Sequence, residues 1–113
     1  MKIKGTNISM LRGDTAAITV SVTDSAGASV PLEAGDIVYL TLKKSVDTEA
    51  KVLQKVVTDF IDGTALIELA PGDTHDIKPG IYMYDIQLTR ANGKVYTIVG
   101  PSNWTIEGDV TRD

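Results

Sequence analysis

Polar and apolar residues alternate along most of this chain, with the period of two expected of a β-strand buried on one side. From Thr15 to Thr23 the even positions are Ala16, Ile18, Val20 and Val22, and the odd ones are Thr15, Ala17, Thr19, Ser21 and Thr23. That pattern predicts a half-buried antiparallel strand, ended by the turn chemistry of Asp24-Ser25-Ala26-Gly27. Asp36 to Lys44 repeats it with Val38, Leu40 and Leu42 on one face. Val52 to Thr58 is more mixed, with Gln54 and Lys55 among its valines, as in an edge strand. Asp62-Gly63 predicts a tight hairpin into Thr64 to Leu69, where Ala65, Ile67 and Leu69 share a face. Ile81 to Thr89 follows, and Ala91-Asn92-Gly93 turns it into Lys94 to Val99. Gly100-Pro101 then predicts a bulge or a switch of sheets, because proline cannot donate to a ladder. Asn103 to Glu107 resumes with Trp104 and Ile106 on one side. A short strand near Ile8 to Leu11 brings the count to seven, at the turn spacing of a sandwich. No window has a helical period, although Pro71-Gly72-Asp73-Thr74 predicts one helical turn capped by Asp73 or Thr74.

The run Lys78-Pro79-Gly80-Ile81-Tyr82-Met83-Tyr84-Asp85-Ile86 is the most specific signal. Gly80-x-Tyr82-x-Tyr84 has the spacing that opens the sixth strand of immunoglobulin-like sandwiches, with Tyr84 where a Cys would stand. The hydroxyl of Tyr82 is expected to fold back onto the backbone of the preceding turn, a tyrosine corner. These patterns predict an all-β fold, a seven-stranded antiparallel immunoglobulin-like β-sandwich. The expected core is Ile18, Val20, Val22, Val38, Leu40, Leu42, Ile67, Leu69, Tyr82, Tyr84, Ile86, Leu88 and Trp104.

Length and composition narrow the functional classes. The 113 residues suit one domain over 1–113, with a frayed tail from about Gly108. A chain of this size buries roughly 65% of its unfolded surface, enough for a core without staples. With no cysteine, disulfide frameworks and thiolate metal sites are excluded. The net charge is −4 and the 11 Lys and Arg form no basic stripe, which argues against nucleic acid as a partner. No apolar run approaches the roughly 20 residues that span a bilayer, so no membrane is expected. Met1-Lys2-Ile3-Lys4-Gly5 leads into no apolar signal region, so synthesis in the cytosol is expected.

Residues that could carry chemistry each have a simpler reading. Arg12-Gly13-Asp14 spells an adhesion tripeptide, but it sits where the chain must turn, and Gly and Asp serve turns. Asn7-Ile8-Ser9 and Asn103-Trp104-Thr105 fit the glycosylation pattern, yet read as polar strand residues. His75 is the only histidine, lies in a polar loop beside Asp73 and Asp76, and has no nucleophile or metal partner in the sequence. Asp59, Asp62, Asp73 and Asp76 could gather round a hard cation, but no loop has the dense spacing calcium requires. Trp104, Tyr82 and Tyr84 fall on core faces rather than on a stacking platform. Tyr39 alternates with Val38 and Leu40, which puts it on the outer face as a contact residue. No catalytic, cofactor-binding or metal residue is assigned, and no enzyme is expected.

The order of several short motifs carries a resemblance. They are Arg12-Gly13-Asp14-Thr15, Asp24-Ser25-Ala26-Gly27, Leu40-Thr41-Leu42-Lys43-Lys44-Ser45 and Leu69-Ala70-Pro71-Gly72-Asp73-Thr74. Pro79 to Leu88 and Gly108-Asp109-Val110-Thr111-Arg112 complete the series. Together they resemble small immunoglobulin-like structural proteins of phages and prophages, and the N-terminal domain of siphophage upper baseplate proteins. The resemblance implies a non-catalytic, virion-associated module of baseplate, tail, neck or head, without a cofactor. Its partners would be other phage structural proteins or further copies of itself around a symmetry axis. The alternative is a small glycan- or peptide-binding sandwich on a cell or particle surface.

Overall fold

The computed structural model describes residues 1–108, with the backbone alone for 2–4. The chain is all-β apart from one helical turn. Its elements in order are β1 (Lys2–Lys4), β2 (Asn7–Leu11), β3 (Ala16–Val20), β4 (Ile37–Lys43) and β5 (Leu53–Val57). Then come β6 (Ala65–Leu69), α1 (Pro71–Thr74), β7 (Gly80–Thr89) and β8 (Val95–Glu107). Six strands form one sheet in the order β1-β2-β8-β7-β4-β5, and β3 pairs with β6 in a second.

The alternation of β4 and β7 does what the sequence predicts. Val38, Leu40 and Leu42 are fully buried and lie opposite Leu88, Ile86 and Tyr84 across the ladder. The facing sides of the two sheets share one hydrophobic cluster, with Ala16, Val20, Ala65, Ile67 and Leu69 contributed by β3 and β6. Two expected core residues, Ile18 and Val22, are only half-buried and pack against its margin. Ile8, Met10, Leu32 and Ile106, outside the expected core, are buried as well, Ile106 on the face it was predicted to share with Trp104.

Three expectations need correction. The structure has eight strands, not seven, because Lys2–Lys4 folds back antiparallel on β2. The large sheet is mixed rather than antiparallel, since β2 runs parallel to β8, Ile8 beside Trp104 and Leu11 beside Glu107. Alternation sets which face a strand buries, not which strand it pairs with, so this pairing was not legible. Asp62-Gly63 does form a two-residue turn with both residues at positive φ (52° and 74°), closed by paired bonds between Ile61 and Thr64. Its arms then separate into different sheets, so β5 and β6 are not a hairpin.

The Gly100-Pro101 irregularity is a bulge. Between the pairs Tyr84–Ser102 and Ile86–Val99 the β8 strand carries an additional residue, and β8 continues in the same sheet. The helical turn begins at Pro71, and Asp73 sits in its third position rather than at the cap, accepting a 2.7 Å bond from the Ala70 amide. Of the tail expected to fray, Gly108 is exposed and residues 109–113 lie outside the described residues.

Candidate functional site

The predicted tyrosine corner is present. The Tyr82 hydroxyl donates to the Lys78 carbonyl, and Tyr84 donates to the carbonyl of Thr6 in the turn between β1 and β2. Burial raises the Tyr84 pKa above its ordinary value. Tyr84, Tyr82 and Trp104 are all buried, so none forms a stacking platform.

Arg12-Gly13-Asp14 is a turn whose centre is held from elsewhere. Gly13 has φ +81° and its amide donates to Thr74 Oγ1 at 2.8 Å, while the Asp14 amide donates to the Leu11 carbonyl. Thr74 is fully buried, which ties the helical turn to this loop. His75 is half-buried directly after it, and Asp76 is exposed. Among the described residues, no three His, Cys, Asp or Glu side chains converge on a point that could hold a metal ion. Of the four loop carboxylates, Asp73 is engaged by Lys55 Nζ at 3.1 Å. Partial burial pushes the Asp73 pKa upward, but the Ala70 amide and the Lys55 ammonium outweigh it and hold the carboxyl below its ordinary value. Asn7 and Asn103 are exposed strand residues bonded to each other, the Asn103 amide donating to Asn7 Oδ1 at 3.0 Å.

One polar centre escaped the sequence reading. Asp36, 2% exposed, accepts from the Glu33 amide at 2.9 Å and the Ala91 amide at 3.0 Å, with Arg90 Nε 3.5 Å away. In sequence it is an aspartate at a turn. In the fold it ties the loop before β4 to the turn of the β7–β8 hairpin.

The surfaces that remain open are backbone edges and one cleft. Among the described residues no strand pairs with the edge of β5 away from β4, in keeping with its mixed composition. Beside it on the outer face, Tyr39 lies between Val56 and Gln87 and is half-buried rather than prominent. A cleft of about 510 Å³ opens at the end of the molecule carrying the β7–β8 hairpin. Val22, Val30 and Ile98 give it apolar walls, with Asp24 on one rim and Arg90, Lys94 and Tyr96 on the other. That volume falls in the range of ligand and peptide sites. In comparison with protein-family models and with curated proteins, nothing matches the chain. Among the described residues no helix is long and apolar enough to cross a membrane.

Proposed function

We propose that the chain is an immunoglobulin-like module serving as a non-catalytic structural or adaptor component of a phage or prophage particle. It would work through protein–protein contacts. The tyrosine corner is the observation that carries the fold part of this reading. It lies at the start of β7, two residues before the buried Tyr84, the spacing it has in the sixth strand of such sandwiches. On that reading β4, β7 and β8 correspond to the third, sixth and seventh strands, and β3 with β6 to the second and fifth. The motif order set out above supports the phage assignment. Unpaired edges on β5 and β3 support a contact role, because an open ladder recruits strands from other chains.

The experiment is mass spectrometry of gradient-purified particles induced from the source strain. Tens of copies per particle, the order expected of symmetric rings, is the predicted result. Detection in the lysate but not in particles overturns the assignment and favours a surface-binding sandwich.

A further inference from the structure

The long strand β8 is covered along only part of its length. Its last four residues, Trp104 to Glu107, are flanked by β2. That cover ends at the turn between β1 and β2, which is pinned at the bulge by Thr6 Oγ1 to Ser102 Oγ (2.7 Å) and by Tyr84 to the Thr6 carbonyl. Beyond the bulge, among the described residues, no strand other than β7 pairs with β8.

The hairpin bonding shows which main-chain groups that leaves open. The Arg90 amide donates to the Lys94 carbonyl, which makes Arg90 and Lys94 a hydrogen-bonded pair. Antiparallel ladders alternate bonded and non-bonded pairs. The pairs Thr89–Val95 and Gln87–Thr97 are therefore non-bonded, and the amides and carbonyls of Val95 and Thr97 point away from β7. The Asn103 amide, which points outward to Asn7, shows the same alternation beyond the bulge.

The open edge faces the cleft. Across it runs the chain that continues from β3, Val22 to Asp24, and β3 itself pairs only with β6. Tyr96 lies opposite the buried Leu88, on the core side of the sheet, yet it is 49% exposed because no second layer reaches it. The molecule thus holds a cleft of about 510 Å³ beside an open strand edge, with Val22, Val30 and Ile98 among its lining. Lys94, which lines the cleft, is exposed and has no acidic partner among the described residues, Arg90 is shared with Asp36 and Glu33, and one Asp24 oxygen is taken by the Ala26 and Ala28 amides.

We propose that this cleft takes an extended acidic segment of a partner polypeptide, added as a strand along Val95–Thr97, up to the register shift at Ile98. The unpaired main chain selects a polypeptide over a sugar, the cleft takes its alternate apolar side chains, and Lys94 favours a carboxylate at one end. The inference rests on the protein–protein reading above and names its surface.

The test presents a surface-displayed library of random decapeptides to the purified full-length chain. The expected result is enrichment of peptides that alternate apolar and polar residues and carry Asp or Glu near one end. Thr97→Pro removes an outward amide that the β7 ladder does not use, and should weaken those peptides about tenfold. Lys94→Glu, an exposed change that leaves folding intact, should turn the acidic preference basic. No enrichment, or enriched peptides that bind the Lys94→Glu chain unchanged, overturns the inference. The chain found in particles while the library fails would overturn this inference alone and leave the structural role standing.

Discussion

The ring of Tyr84 stands edge-on to Trp104, with centroids 5.2 Å apart and planes at 84°. Both side chains are buried, on neighbouring strands of the six-stranded sheet. Trp104→Ala should cost about 3–5 kcal/mol, the usual loss for a large buried aromatic. Urea denaturation followed by circular dichroism measures it. Tyr84→Phe keeps the ring contact but loses the bond to Thr6. Because burial raises the Tyr84 pKa, the neutral hydroxyl stabilises the fold below the unfolded pKa of about 10. That stability is lost as pH rises through the raised folded value, so Tyr84→Phe should blunt alkaline denaturation.

Tyr82 is joined to Lys78 across the turn that feeds β7. Tyr82→Phe removes one net hydrogen bond and should lower stability by about 1 kcal/mol. An unchanged urea midpoint would remove the tyrosine corner from the account of the fold.

Asp73 ties α1 to β5, receiving the Ala70 amide at the start of the helical turn and the Lys55 ammonium that reaches over from β5. Its folded pKa is depressed, so its stabilising contribution is present above the unfolded value of about 3.9. That contribution is lost as pH falls through the depressed folded value. Asp73→Asn should therefore destabilise the chain at neutral pH and converge with the parent at about pH 2. Thermal melts across pH 2 to 7 test this, and parallel curves would contradict it.

Amide exchange offers a separate check on the open edge. Val95 and Thr97 should exchange quickly, while Tyr96 between them, bonded into the β7 ladder, should be protected. Uniform protection across Val95 to Thr97 would mean that the edge is already covered.

Most local structure was legible because it is set by near neighbours in sequence. The alternation of Val38, Leu40 and Leu42 fixes an inner face whatever lies beside it. Gly100-Pro101 must break a ladder, and Asp62-Gly63 must turn. What the sequence did not reveal depends on distant partners. The parallel seating of β2 on β8 joins residues such as Asn7 and Asn103, 96 positions apart. Asp36 gains its role from amides on two separate loops. The open half of β8 was equally hidden, since Val95, Tyr96 and Thr97 alternate like any paired strand. Only the end of the β1–β2 hairpin at Thr6 shows where the cover stops.

The most direct test of the whole account is lysine footprinting by mass spectrometry, on the free chain and on purified particles. Lys44, Lys51, Lys78 and Lys94 are all exposed in the isolated chain and should react there alike. In particles, the account predicts that the chain is present and that Lys94 is shielded, with the segment Val95–Thr97 occupied by a partner. Absence of the chain from particles, or a Lys94 as reactive there as in the free chain, would contradict it.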